Sequence, residues 1–151
     1  MMSRAQIVFL HVSIAAVAAT GCALAFMKYA MTTGDPFAVA NHPWQPHMLS
    51  AHVLVAPLAV FAFGWTFANH IWPAVVNGAP NRGSGIAAML LIAPMVATGY
   101  LMQIATEETT RHAFAVAHWI CSGAFVVGYL VHLRSAARKR RVERGADAPH
   151  S

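Results

Sequence analysis

The sequence predicts an all-α fold, an integral membrane four-helix bundle with both termini in the cytoplasm. The chain has 151 residues, of which 58% are hydrophobic and only 10% are charged, and its mean hydropathy is +0.52. A water-soluble domain of this length is less apolar. Apolar runs occur four times along the chain, each about as long as the roughly 20 helical residues that cross a bilayer. We therefore expect a small polytopic membrane protein.

Four spans follow from these runs. We expect them at about 7–27, 49–72, 86–105 and 112–134, with a basic cytoplasmic tail at 135–151. A signal peptide is the alternative for the first run, because Arg4 precedes it and small residues follow Cys22. His11 lies one turn into that run, which is unfavourable in a signal core. The second run ends before Pro73, and Pro57 predicts a kink that neighbouring helices accommodate.

The connections between the runs are polar. The longest, 28–48, contains the sequence H-P-W-Q-P-H and predicts an ordered extramembrane loop or a short interfacial helix. Residues 79–85 predict a plain turn. Residues 106–111 predict a short charged loop, in which Thr109 or Thr110 caps the last helix.

The basic residues orient the spans, because cytoplasmic loops carry an excess of Lys and Arg. With both termini inside, the outer side receives only Lys28 and Arg111 of the ten Lys and Arg residues. The cytoplasmic side receives the other eight, which are Arg4, Arg82, Arg134, Arg138, Lys139, Arg140, Arg141 and Arg144.

Charge and cysteine content exclude several function classes. The net charge of +5 does not indicate nucleic-acid binding, because the basic cluster at 134–144 directly follows a span and is expected to face lipid. Cys22 and Cys121 lie within apolar runs, where free cysteine behaves as a small buried hydrophobe. The absence of a C-x-x-C-H motif excludes covalent c-type haem, and two isolated cysteines exclude the usual kind of zinc site.

Two histidines of the last run form the strongest candidate site. His118 and His132 are fourteen residues apart. On a helix this spacing leaves the two imidazoles about 40° apart on one face and roughly 21 Å apart in height. Histidines inside a bilayer generally face the bundle interior and have a partner. We therefore expect two stacked b-type haems, each with one axial imidazole from this helix and one from another.

Depth in the membrane predicts the partners. His52 and His118 both lie near the outer surface, so they can hold one haem iron from facing helices. His52 and His70 are roughly 27 Å apart in height, which makes His70 too deep by about a turn to be the inner ligand. His11 is therefore the better partner for His132, and His70 remains at the interface, where a hydrogen-bonding helix contact is the alternative.

Other residues have secondary candidate roles. Arg134 can contact an inner haem propionate or can act as a snorkelling anchor. The rim histidines, His42, His47 and His112, are expected to be solvated or to contact propionates. Five glycines can allow close approach of a macrocycle or pack helices, the second being favoured. They are Gly21, Gly64, Gly99, Gly123 and Gly128.

The segment H-W-I-C-S-G-A-F-V-V-G-Y-L-V-H, with its histidines in apolar helices, resembles a known family. It is similar to the four-helix di-haem cytochrome b membrane subunits, such as the gamma subunits of formate dehydrogenases and the cytochrome b subunits of nickel–iron hydrogenases. The resemblance covers most of the chain from Ile7 to Arg134. It implies that His118 and His52 bind the outer haem, and that His132 and His11 bind the inner one.

The resemblance also implies a function. We expect electron transfer across the bacterial inner membrane between the quinone pool and a periplasmic or membrane redox subunit carrying iron–sulfur clusters or haems. The chain would be an electron-transfer subunit with no catalytic residues of its own, and a quinone would bind near His70, Trp72 and Arg134. The alternatives are a stand-alone cytochrome b that oxidises superoxide and reduces quinone, and a haem-free structural or assembly subunit.

Overall fold

The computed structural model describes residues 2–31, 42–79 and 82–146. In these ranges all regular structure is helical, and no strand occurs. Helix α1 spans Arg4–Ala25 and continues as a π-helical segment, Phe26–Ala30. Helix α2 spans Gln45–Thr66 and is followed by a second π-helical segment, Phe67–Ile71, and by the short α3, Trp72–Val76. The remaining helices are α4, Arg82–Ile104, and α5, Glu108–Ala146.

Four helical stretches are long and apolar enough to cross a membrane. They are Arg4–Ala30, Gln45–Val76, Gly85–Ile104 and Glu108–Arg138. The prediction of an all-α chain with four membrane-crossing helices is therefore confirmed at the level of helix length and polarity. The prediction for the loop at 28–48 lies partly outside the described residues, but its two ends are helical.

Most large apolar side chains of these helices are exposed in the isolated chain. Leu54, Leu90 and Ile104 are 74%, 71% and 73% exposed. In water such surfaces would associate, whereas lipid chains cover them at little cost. This distribution is the one expected of a multi-pass membrane protein.

The two cysteines differ in exposure. Cys22 on α1 is exposed and Cys121 is half-buried, so the expectation that both are buried was wrong for Cys22.

The chain divides into two compact units, Met1–Pro73 and Ala74–Ser151. In the first unit α1 packs on α2. The ring of Phe9 on α1 lies 6.1 Å from that of Phe61 and 6.4 Å from that of Trp65 on α2. The residues buried in this unit are Gln6, Leu10, Ser13, Ile14, Ala62, Phe63, Thr66 and Ile71.

Helix α1 begins with a capping box. The Ser3 hydroxyl accepts from the Gln6 backbone N–H at 3.2 Å, and the Gln6 side-chain oxygen accepts from the Ser3 N–H at 2.9 Å. Each partner satisfies a donor that the first helical turn leaves unpaired. The S-x-x-Q sequence explains why α1 begins at Arg4, before the apolar run itself.

The helical stretch of the second span continues past Pro73 to Val76, whereas the sequence predicted that it ends before Pro73. In the second π segment the Trp72 N–H donates to the Phe67 carbonyl, five residues back, and α3 then begins at Trp72. Pro73 therefore lies in the first turn of a new α-helical segment, where a missing N–H is tolerated. Pro57 and Pro94 also lie within continuous helices.

In the second unit α4 packs on α5, and Phe125 is buried. Helix α4 begins at Arg82, so residues 82–85 of the predicted turn at 79–85 are helical. Helix α5 continues from the predicted span into the predicted tail and ends at Ala146. At 1.5 Å per residue its 39 residues extend roughly 58 Å, which is about twice the hydrocarbon thickness of a bilayer.

The cap of α5 is Glu107, not Thr109 or Thr110 as predicted. Its carboxylate accepts from the backbone N–H groups of Thr109 at 2.9 Å and Thr110 at 2.6 Å. Hydrogen bonds from Thr110, and then from Thr109, lower the pKa of Glu107 from 4.5 to about 2. A carboxylate also interacts favourably with the positive end of the helix dipole, which a threonine hydroxyl does not.

We expect the Glu107 cap to weaken only in strong acid. Because the pKa is lowered in the folded chain, the charged form stabilises the cap above pH 4.5, and this contribution is lost as the pH falls through about 2. An NMR titration of the Glu107 carboxyl carbon checks this. Glu107→Ala should also speed amide hydrogen exchange at Thr109 and Thr110, whereas Glu108→Ala should leave both amides protected. A carboxyl midpoint at 4.5 would contradict the cap.

Candidate histidine sites

His52 is half-buried on α2 and is held by α1. Its ring nitrogen Nδ1 lies 2.9 Å from the hydroxyl oxygen of Thr20. That hydroxyl lies 2.9 Å from the carbonyl oxygen of Ala16 and 3.1 Å from that of Val17. Carbonyl oxygens only accept, so the Thr20 hydroxyl is the donor in both contacts with its own helix. While its proton is directed there, the hydroxyl oxygen is an acceptor for Nδ1–H of His52, and in the other ring tautomer it donates to Nδ1.

Gly21, the residue after Thr20, supports the same ring. A Cβ atom at Gly21 would lie 3.2 Å from Cε1 and 3.6 Å from Nδ1 of His52. A contact of 3.2 Å is shorter than an ordinary van der Waals contact. The absence of a side chain at this position therefore allows the Nδ1–Cε1 edge of the imidazole to lie against the α1 backbone.

His118 has the same surroundings in the second unit. It is half-buried on α5, and its Nδ1 lies 2.8 Å from the carbonyl oxygen of Met95 and 3.3 Å from the Thr98 hydroxyl on α4. The Thr98 hydroxyl lies 2.7 Å from the Pro94 carbonyl and 3.1 Å from that of Met95. Because a carbonyl accepts, Nδ1 of His118 carries the proton.

Gly99 repeats the role of Gly21. A Cβ atom at Gly99 would lie 3.3 Å from Cε1 and 3.5 Å from Nδ1 of His118, values within 0.1 Å of those at Gly21. A Cβ at Gly64, Gly123 or Gly128 would meet no atom within 4 Å in the part of the chain that the structure describes. Two of the five glycines singled out in the sequence therefore lie against histidine rings, and the other three do not.

The two sites share a sequence pattern besides the histidines, which the spacing of the histidines does not indicate. The tripeptide Ala-Thr-Gly occurs at 19–21 and again at 97–99, and Ala-His occurs at 51–52 and 117–118. In each unit the first helix supplies the tripeptide and the second supplies the histidine. The repeat of A-T-G is visible in the sequence, but the contact is not, because Thr20 and His52 are 32 residues apart and Thr98 and His118 are 20 apart.

The other two predicted ligands lie on the same helices as these sites. His11 is half-buried on α1, and His132 is half-buried on α5. Since α5 is continuous from Glu108 to Ala146, His118 and His132 share one side of one helix, about 40° apart, as the spacing predicts. The pairings of His52 with His118 and of His11 with His132 stay predictions.

His70 and Arg134 are exposed. His70 lies in the second π segment, a feature that apolar periodicity does not predict. Arg134 follows His132 by two residues, so the two side chains point about 160° apart around α5. This geometry favours the snorkelling role of Arg134 over contact with a haem bound by His132.

The rim histidines have local contacts. Nδ1 of His42 accepts from the Trp44 backbone N–H at 3.2 Å, and the ring of His47 lies edge-on to that of Trp44 at 6.1 Å. Pro43, Trp44 and His47 line an open groove of about 520 Å³. His112 is exposed near the start of α5.

Comparison with protein-family models, curated proteins and solved structures found no match. Within the described residues, no group of three or more His, Cys, Asp or Glu side chains is placed to hold a metal ion. Such a group is what zinc requires, whereas a haem iron takes only one or two axial side chains.

The contacts at Nδ1 predict the tautomer of both rings. In haem-free protein labelled with ¹⁵N-histidine, His52 and His118 should carry the proton on Nδ1, and Nε2 should have the chemical shift of an unprotonated nitrogen. Resonances are assigned by their loss in His52→Gln and His118→Gln, and His112 serves as the exposed reference. Protonation of His118 at Nε2 would contradict the contact with the Met95 carbonyl.

Proposed function

We propose that the chain is a di-haem b-type cytochrome of the bacterial inner membrane. It passes electrons between a periplasmic redox partner and the quinone pool, as the membrane subunit of a larger oxidoreductase complex. The observation that supports this proposal is the placement of the His52 and His118 rings. Nδ1 of each lies within hydrogen-bond distance of an oxygen of the neighbouring helix, the Thr20 hydroxyl for His52 and the Met95 carbonyl for His118.

This placement is the one that an axial ligand needs. A histidine that binds a metal through Nε2 usually donates its Nδ1 proton to a carbonyl or another oxygen, which fixes the tautomer and the ring orientation. With Nε2 bound to iron, Nδ1 of both rings would carry the proton, and the Thr20 hydroxyl and the Met95 carbonyl are placed to accept it. The two rings therefore fit the axial positions of a b-type haem, and each is held by a Thr-Gly step of the neighbouring helix.

The continuous α5 provides the second argument. It carries His118 and His132 on one side, roughly 21 Å apart in height, which is the separation expected of ligands to two haems near opposite membrane surfaces. The proposal assigns His52 to the haem of His118 and His11 to that of His132, from the depth count and the family resemblance. Each haem, when bound, supplies one-electron redox chemistry.

The chain's own contributions are ligand orientation and exclusion of water. Two imidazoles on each iron would leave no open position, which favours electron transfer over oxygen chemistry. The Thr20 hydroxyl and the Met95 carbonyl would accept from Nδ1 of the outer ligands and so orient them. The apolar side chains of the helices would keep water away from the haems.

The proposal assigns quinone chemistry to the inner side, with His70 as the residue that exchanges protons. His70 is exposed and lies in a π-helical segment, and such segments occur frequently at functional sites. An imidazole has one proton-donating and one proton-accepting ring nitrogen, so it can pass on the proton that accompanies quinone reduction. Arg134 anchors α5 at the lipid headgroups.

The outer surface favours a protein partner over a superoxide reactant. Glu107 and Glu108 are exposed at the start of α5, and their carboxylates repel an anion such as superoxide. The exposed Trp44 adds an aromatic surface of the kind enriched at protein interfaces.

We expect two b-type haems per chain, measured by pyridine haemochrome and protein quantification. His52→Ala, His118→Ala and His132→Ala should each lower the ratio from two to one, because each removes one axial ligand. His112→Ala is the control, since it removes an exposed histidine from the same helix and should retain both haems. A colourless wild-type protein would support the haem-free alternative, and two haems in His118→Ala would contradict the ligand assignment.

The predicted topology is tested by cysteine labelling. In a background with Cys22→Ala and Cys121→Ala, Thr106→Cys should react with an impermeant maleimide in intact spheroplasts, because residues 106–111 are assigned to the periplasm. Ser135→Cys should react only in inverted vesicles. The opposite pattern would place both termini outside.

A further inference from the structure

We propose that Thr20 and Thr98 are positioning residues that set the reduction potential of the outer haem through Nδ1 of its two ligands. This inference rests on the proposed function. It assigns a role to a repeated arrangement, in which a Thr-Gly step on one helix lies against a histidine of the next helix. Haem ligation by itself does not require the Thr-Gly step. The ligand class of the site is a haem iron bound through Nε2 of His52 and His118.

The geometry gives the threonine and the glycine separate tasks. Successive residues on a helix point about 100° apart, so Thr20 reaches Nδ1 while Gly21 lies beneath Cε1. The imidazole therefore rests on α1 along its Nδ1–Cε1 edge. Thr98 and Gly99 hold the same edge of His118. The hydroxyl is placed to accept from Nδ1–H when Nε2 binds iron, and the missing Cβ allows the ring to approach the backbone closely.

The hydrogen bond at Nδ1 also changes the electronic properties of the ligand. An acceptor at Nδ1–H increases the electron density of the imidazole, and a more basic axial ligand stabilises ferric over ferrous iron. Removal of the acceptor should therefore raise the reduction potential of that haem. Both contacts are half-buried in apolar helices, which limits how far water can replace the lost acceptor.

The two threonines should differ in magnitude. The Thr20 hydroxyl lies 2.9 Å from Nδ1 of His52. The Thr98 hydroxyl lies farther from Nδ1 of His118, at 3.3 Å, and the Met95 carbonyl at 2.8 Å is the shorter contact there. Thr98→Val leaves that carbonyl in place, whereas Thr20→Val removes the hydroxyl contact of His52. A larger shift from Thr20→Val than from Thr98→Val is therefore expected.

The experiment is a redox titration of the purified two-haem protein, monitored in the visible spectrum. Thr20→Val should shift the outer haem to a higher potential, Thr98→Val should shift it less, and Thr20→Ser should restore the wild-type value. The inner haem is an internal reference that should not move. Thr66→Val is the matched control, because the hydroxyl of this buried threonine donates to Ala62 of its own helix.

A second readout tests the glycines. Gly21→Ala and Gly99→Ala force the ring to move, because the new Cβ would lie 3.2 or 3.3 Å from Cε1. The electron paramagnetic resonance spectrum of the ferric outer haem should shift, since it reports the relative orientation of the two imidazole planes. Gly123→Ala, whose Cβ meets no described atom within 4 Å, should leave the spectrum unchanged.

The outcomes separate this inference from the proposed function. A wild-type protein without haem overturns both. The wild-type protein with two haems supports the proposed function. If the reduction potential of its outer haem is then the same in Thr20→Val as in Thr20→Ser and Thr66→Val, only the positioning role is overturned. Loss of the outer haem from Thr20→Val with its retention in Thr20→Ser supports the positioning role, whereas its loss from both variants contradicts it, because the serine retains the hydroxyl.

Discussion

Satisfaction of polar groups inside an apolar medium is the constraint on which the structure depends. In lipid no water is present to pair with a backbone amide or an imidazole, so each must find a partner within the chain. The helices satisfy their own backbone, and the hydroxyls of Ser13, Thr66 and Thr98 bond to helix carbonyls. An imidazole nitrogen is not part of the backbone ladder, and in both units the neighbouring helix provides a partner for Nδ1.

The same solution occurs twice along the chain. In each unit a Thr-Gly step on the first helix receives the Nδ1 edge of a histidine on the second. The repetition links the packing of each helix pair to the orientation of the histidine, because the contact that joins the helices is made by a ring nitrogen. Many polar side chains could form a hydrogen bond that only holds two helices together. Both units use histidine for this contact, at His52 and at His118.

The helices themselves could be predicted from the sequence, but several of their ends could not. Length and polarity of the apolar runs determine that four membrane-crossing helices form. Their boundaries depend on local chemistry that hydropathy does not report, such as the Ser3 capping box, the carboxylate of Glu107 and the π segment that moves Pro73 into a first turn. Helix α5 extends into the basic tail because Lys and Arg are good helix formers.

The candidate site was predictable only in part. His118 and His132 share a helix face by spacing alone, whereas Thr20 and Thr98 are defined by contacts between helices, which a single sequence does not encode.

The identity of the axial ligands of the proposed haems tests the account most directly. Near-infrared magnetic circular dichroism of the oxidised protein identifies both ligands of each iron. The account predicts the charge-transfer band of bis-imidazole ferric haem, with an intensity of two haems per chain. A high-spin spectrum, a methionine–imidazole band or no haem band at all would contradict it.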